Sequence, residues 1–270
     1  MNTPPGWKAE LNLGFSVQEG RTILARRHHR GPLTVQKPLY AGDGVCQVCV
    51  LHPPAGVVGG DQLELTFTAD PKAQVLVTTP AASQFYRSDS AWARQSVQLN
   101  IGQDASLEWL PQETIFFQGA KVRSTVQVNL HEAARFIGWE FSVLGRPAAG
   151  EGFDHGQVIL DWRMYLADQP MLLERLNGDN ASLHALSGWG GRPMAASLWA
   201  YPATPSLLER IQTLSAHDPD TGVSLLGQLL VVRSRANSMS HLHRLLRAIW
   251  ACLRPEVIGS EPLPPRIWNT

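Results

Sequence analysis

The chain has 270 residues with 23 acidic and 23 basic side chains, a balance that leaves no electrostatic footprint for nucleic acid and no pull towards an anionic membrane. No apolar run approaches the roughly 20 residues of a bilayer span, and the opening MNTPPGWKAEL lacks the basic and apolar regions of a secretory leader. A cytoplasmic protein is therefore expected, built as one domain: strand-rich over 1–200, two helices within about 205–254, and an extended proline-rich tail over 255–270.

From Leu11 to Ser142 the pattern is strand after strand. His28 and His29, beside Arg26, Arg27 and Arg30, read as a solvated basic turn, with a metal site as the sharper alternative. Cys46 and Cys49 spell C-x-x-C, but Gln47, Val48 and Val50 make the segment a strand, where positions three apart face opposite ways. With Cys252 the count is odd, which suits a reducing compartment and ordinary buried thiols. The stretch VLHPPAGVVGGD, Val50 to Asp61, is the stiffest in the chain. Pro53 and Pro54 restrict the backbone, and Gly56, Gly59 and Gly60 let other groups approach it closely. Asp61 then reads as a cap on backbone amides at a tight turn. A phosphate loop would need lysine and a hydroxyl residue where Asp61 and Gln62 stand.

Leu63, Leu65 and Phe67 alternate with polar residues, as do Val97, Leu99 and Ile101, and Val122, Val126, Val128 and Leu130. Asp70-Pro71, Gly102 and Gly119 separate these strands. Such spacing indicates a sandwich, barrel or β-solenoid rather than a parallel α/β sheet. No fixed-length repeat distinguishes among the three. Phe136 to Leu144 carries bulk on both faces, so it is expected to be buried on both, taking Glu140 inside. In MLLERL, Glu174 shares a strand face with Leu172 and Leu176. A buried carboxylate is costly unless protonated, hydrogen-bonded or wetted. Either each acid pairs with a nearby arginine, Arg146 and Arg175 being candidates, or the two line a polar interior path.

Near the C-terminus, Ser206 and Glu209 fit a capping box ahead of Leu207, Leu208, Ile211 and Leu214. Leu225 to Val232 reads as a buried strand. A second helix is expected from about Ser238 to Leu253, stopped by Pro255. The tail EPLPPRIWNT is too proline-rich for helix, and Trp268 is expected to dock it on the body or on a partner. His131-Glu132 begins like a zinc-protease motif, but Arg135 stands where the second histidine belongs, and no G-x-S-x-G elbow occurs.

The segments GRTILARRHHRGPLTVQKPLY, VLHPPAGVVGGD, TTPAASQFYRS, LEWLPQETIFFQGA, GWEFSVLGRPAAGEGF, LLER and PPRIW, in that order, resemble the urease accessory protein family UreD, called UreH in some bacteria. One departure is Ala55, where the family usually shows a second glycine after the two prolines. The resemblance implies a mainly β, β-solenoid or β-helix-like stack of short strands with two α-helices near the C-terminus. It also implies a non-enzymatic chaperone that joins UreF and the GTPase UreG on apo-urease and supports nickel delivery. No tightly bound cofactor is implied, only transient Ni²⁺ carried through an internal wet tunnel. Positions matching the tunnel's polar lining are Asp61 in GGD, Ser83 after TTP, Glu140 in GWE and Glu174 in LLER. For UreF, the expected contact is the C-terminal helices and tail, with Trp250, Arg266 and Trp268 as candidate docking residues. Two other readings remain: a carbohydrate-active hydrolase using two of the three acids, and a scaffold that never touches nickel.

Overall fold

The computed structural model describes residues 6–54 and 56–269; the departure at Ala55 lies outside the described residues. In chain order the strands are β1 (Lys8–Gln18), β2 (Arg21–Arg30), β3 (Thr34–Val35), β4 (Leu39–Tyr40), β5 (Cys46–Leu51), β6 (Gln62–Ala69), β7 (Gln74–Thr78), β8 (Ser83–Phe85), β9 (Ala93–Ile101), β10 (Ser106–Leu110), β11 (Thr114–Phe116), β12 (Lys121–Leu130), β13 (Arg135–Leu144), β14 (Gln157–Leu166) and β15 (Gln169–Gly178). The short helix α1 (Asn180–His184) follows. After it come β16 (Met194–Tyr201), α2 (Pro205–Ser215), β17 (Thr221–Leu226), β18 (Leu229–Ala236) and α3 (Met239–Val257).

Alternate strands go to two facing sheets. The first runs β15-β14-β12-β9-β6-β1-β2, and the second has β17-β18-β16-β13-β10-β7-β5-β3 as its main path. Within the first, β1, β6, β9, β12 and β14 are parallel neighbours, and within the second so are β5, β7, β10 and β13. The chain therefore winds as a solenoid-like coil, one turn stacked on the next. The sheets meet at corners that stack too: Ser106 N donates to Ala73 O and Arg135 N to Ala105 O, and Ala73, Ala105 and Ala134 are buried. A side chain larger than alanine there would push successive turns apart. Gln62 lies beside Arg94, Ala93 beside Val122 and Val122 beside Val158, so the turns differ in length. That is why the sequence shows no fixed period.

The first sheet buries one face, and its strands alternate accordingly; β12 buries Val122, Val126, Val128 and Leu130. The second is buried on both. Val75, Leu107, Phe136 and Leu144 face the first sheet, while Leu76, Leu110, Ile137 and Phe141 pack under Leu207 and Ile211 of α2 and Leu242, Leu246 and Leu253 of α3. Burial of each such side chain contributes about 1.5–3 kcal/mol. The two-faced reading of Phe136 to Leu144 holds, as does the β-rich solenoid-like class.

Several boundaries differ from expectation. Leu225 to Val232 is split by a hairpin turn, where Gly227 takes φ +60. Helix α2 is capped by Thr204, whose side chain accepts from Leu207 N at 3.3 Å, with Pro205 in the first turn. Ser206 already lies inside the helix. Pro255 does not stop α3, which continues to Val257; the proline occupies the last turn. His28 and His29 lie on β2, exposed at the edge of the first sheet, with Arg26 held bidentately by Asp70. The tail closes with a short 3₁₀ turn at Arg266–Asn269. Trp268 does dock it: its Nε1 donates to Thr78 Oγ1 at 3.1 Å and its ring packs against Trp139 and Trp250.

Candidate functional site

The gap between the sheets is not filled evenly. The three-residue strands β8 and β11 sit in register with the end of β13, placing Ser83 beside Thr114 and Thr114 beside Ser142. These small hydroxyl side chains leave space where a Leu or Phe would close it. The result is a chamber of about 280 Å³. Polar groups on its lining include His52, Thr79, Ser83, Gln95, Thr114 and Glu140, set among Leu65, Val97, Trp109 and Val126. Loop 79–82, exposed at Ala81, forms one wall.

Beyond Glu140 lies a narrow void of about 20 Å³, bordered also by Ser142, Trp162, Glu174, Ala196 and Ser197. That volume holds about one water molecule. Glu174 in turn borders an outer groove of about 400 Å³ with Arg175, Asp220, Arg233 and Arg235. Glu140 thus lines both the chamber and this small void, termed the neck below, and Glu174 lines both the neck and the groove.

The two carboxylates are held differently. Glu140 Oε2 accepts a hydrogen bond from Trp162 Nε1, whose ring stacks on Trp199 with centroids 3.8 Å apart. Among the described residues no cation pairs with Glu140. Burial, which disfavours the charged form, pushes its pKa up to about 7; the indole bond acts the other way, and the negative charge of Glu174 adds to the rise. Glu174 is neutralised by Arg233, whose Nε donates to Oε1 at 2.7 Å and Nη2 to Oε2 at 2.6 Å. The arginines expected from proximity in sequence go elsewhere: Arg146 to Glu151 and Arg175 to Asp161.

Of the four predicted lining positions, Ser83, Glu140 and Glu174 fall along this string of spaces. Asp61 does not. Its Oδ1 accepts from Trp7 N at 3.2 Å and its Oδ2 from Val58 N at 3.0 Å, the amide-capping role read from the turn. Gly60 takes φ +97 there, and a Cβ on Gly6 would fall 2.1 Å from the Gly60 carbonyl carbon. Asp61 does act on the chamber at a distance: its charge favours protonated His52, although burial prevails and lowers the His52 pKa. His52 itself was missed as a lining residue. The signal was present, since Val48, Val50 and His52 share one face of an extended segment.

Among the candidate docking residues, Trp250 and Trp268 are core residues, 1% and 7% exposed. Their rings are used inside this chain, and Arg266 is the exposed member of the three. Cys46 and Cys49 are buried, free strand thiols as expected, and burial pushes Cys49 up to about 11. Among the described residues no three His, Cys, Asp or Glu side chains are grouped to hold one metal ion, and no helix is long and apolar enough to cross a membrane.

A coiled β protein whose polar groups run through its interior, rather than along an open cleft, is the class these features define. The sequence pattern of the UreD urease accessory protein family matches residues 8–269. Urease accessory protein UreD of Pseudomonas entomophila (strain L48) is 42% identical over 267 residues, covering 98% of this chain and 95% of that protein. UreD proteins of Enterobacter sp. (strain 638) and Klebsiella aerogenes are each 40% identical over 266 residues, covering 98% of this chain and 96% and 97% of theirs. The chain belongs to the UreD family of urease accessory proteins. Its role lies in urease maturation, and it is an accessory protein rather than an enzyme, which removes the hydrolase reading.

Proposed function

We propose that this protein works in the cytoplasm with UreF and UreG on apo-urease, and that its inter-sheet spaces form a passage for Ni²⁺ on the way to the urease active site. The observation that carries the reading is the position of the two acids: Glu140 borders both chamber and neck, and Glu174 both neck and groove. Histidine and thiolate ligands hold Ni²⁺ tightly, because it stands high in the divalent affinity order. Each ~1.4 kcal/mol of extra binding lowers the dissociation constant tenfold, and where that gain falls on the off-rate the ion is trapped. Separated oxygen ligands and water replace part of a hydration shell and release the ion again, as conducting pores do. In this reading Glu140 and Glu174 supply the oxygen donors, and Ser83 keeps the chamber wide and wet. Asp61 contributes through structure and field only.

Glu174→Lys places a positive charge at the neck. The expected result is loss of urease nickel loading while the variant still co-purifies with its partners. Full urease activation by this variant at limiting nickel would reject the passage. A second reading, a scaffold that never touches nickel, draws support from the Arg233 fork that occupies both Glu174 oxygens. Equilibrium dialysis of nickel against wild type and Glu140→Gln separates the two, since a scaffold binds equally with either side chain. We also place UreF on the exposed side of α2 and α3 near Arg244 and Arg266. Arg266→Glu should weaken that complex; deleting the tail is the poorer test, because it removes Trp268 from the core.

A further inference from the structure

The neck is framed by two cross-sheet rungs laid side by side. In the second sheet Glu140, Ser197 and Arg233 form one row in register across β13, β16 and β18. In the first, Trp162 and Glu174 are paired across β14 and β15. Trp162 bonds to Glu140 and Arg233 bonds to Glu174, so each row supplies one acid and one donor to the other. The rungs are chemically unequal. An indole donates a single hydrogen bond and carries no charge, whereas a guanidinium is always charged and here engages both carboxylate oxygens.

We infer that Arg233 is the residue that decides whether a cation can use Glu174: it occupies the carboxylate as a built-in counter-ion, and an arriving divalent ion must displace it. This rests on the passage reading above and adds to it a selectivity step. While Arg233 is in place, the outer acid offers neither free oxygens nor net negative charge. A singly charged, strongly hydrated ion gains little by competing with a bidentate guanidinium, and a divalent ion gains more from the same oxygens. Arg233 is also placed to leave. Its side chain is 47% exposed, against 22% for Glu174, and it faces the outer groove where Asp220 stands. The Asp220 oxygens there are already engaged, Oδ2 by Arg192 at 3.1 Å and Oδ1 by Arg235 at 3.6 Å, so a displaced Arg233 turns out into the solvent of the groove. Ser197 and Ala196 leave room beside the pair.

The test is equilibrium dialysis of the purified full chain against nickel chloride, with circular dichroism to verify folding. Arg233→Gln should lower the nickel dissociation constant on the order of tenfold, and Arg233→Lys, which keeps the charge but loses the fork, should fall between. Glu174→Gln, which leaves Arg233 as an unpaired positive charge, should bind more weakly than wild type, and the double variant Glu174→Gln/Arg233→Gln should bind no more tightly than wild type, showing that the gain passes through Glu174. Arg163→Gln, an arginine beside Asp161 on β14 and away from the neck, should match wild type. Wild-type affinity in Arg233→Gln with weakened binding in Glu174→Gln would overturn the role of Arg233 and leave the passage standing. The same gain in Arg163→Gln would overturn it as a general charge effect. Identical binding by Glu140→Gln, Glu174→Gln and wild type would remove the passage itself. Should Arg233→Gln not fold, an Arg233→Lys protein indistinguishable from wild type would overturn the inference.

Discussion

Two glutamates on adjacent strands of the second sheet, Glu108 on β10 and Glu140 on β13, point to opposite faces, Glu108 fully buried and Glu140 half-buried against the voids, and their surroundings differ in kind. Glu108 faces the helices. It accepts from Trp250 Nε1 at 2.7 Å and from Arg254 Nε at 3.1 and 3.0 Å, while Arg254 Nη1 lies 2.8 Å from Asp43 Oδ2. Glu108 and Arg254 are wholly buried. Glu140 faces the other sheet, has a neutral indole as its donor, and borders two voids. An acid that serves the fold is matched by a cation and sealed. Glu140, left with neither, is an energetic cost to the fold.

The largest effect that would sharpen this contrast comes from Arg254→Met. It strands Glu108 as an unpaired buried charge, and urea denaturation should show a loss of about 3–5 kcal/mol, or no soluble protein. A loss below 1 kcal/mol would mean the knot is not structural. Next comes Glu140→Gln, where the sign reverses. The folded pKa of about 7 lies above the reference of 4.5, so the folded state binds more protons than the unfolded state between those values. Wild-type stability contributed by Glu140 therefore falls as pH rises from 4.5 to 7 and stays low above it. At pH 8 the glutamine variant should be more stable than wild type by on the order of 1–2 kcal/mol, with the gain vanishing near pH 4.5. A variant less stable than wild type at pH 8 would place Glu140 in the same structural class as Glu108. The smallest effect concerns thiols. Cys252 is partly exposed, with Arg210 Nη2 3.3 Å from its sulfur, and should react first with an aromatic disulfide reagent at pH 8. Cys49, with roughly one thiol in a thousand ionised at that pH, and buried Cys46 should react only on unfolding. Early labelling of Cys49 would show that water reaches the packed side of β5.

Much of the fold was legible wherever burial is one-sided. The alternation in β6, β9 and β12 located those strands, and bulk on both faces of Phe136 to Leu144 placed β13 between two layers. The coil was not legible from periodicity, because its turns differ in length and parallel pairing leaves no local mark. Leu225 to Val232 looked continuous because apolar residues flank Gly227 and Gln228 on both sides. Within the site, Glu140 and Glu174 stood out as acids on apolar strand faces. Their partners did not: Arg233 is 59 residues from Glu174, and only tertiary pairing brings it there. Glu108 was overlooked for a related reason, since its counter-ion lies on the last turns of a helix 146 residues away. For Asp61 the turn chemistry of the sequence matches the observed hydrogen bonds from Trp7 N and Val58 N, whereas the tunnel-lining position follows from the resemblance alone.

The outermost strand of the first sheet, β2, has a bearing on how this molecule behaves in a crowded solution. Parallel turns that add one upon another present a rim on which a second copy could continue the pattern. Here the terminal strand reverses direction against β1 and exposes Arg26, Arg27, His28, His29 and Arg30 along that rim. Two copies brought rim to rim would set arginine against arginine, a repulsion that blocks strand-on-strand growth. At this end the first sheet thus carries its own barrier to continuation.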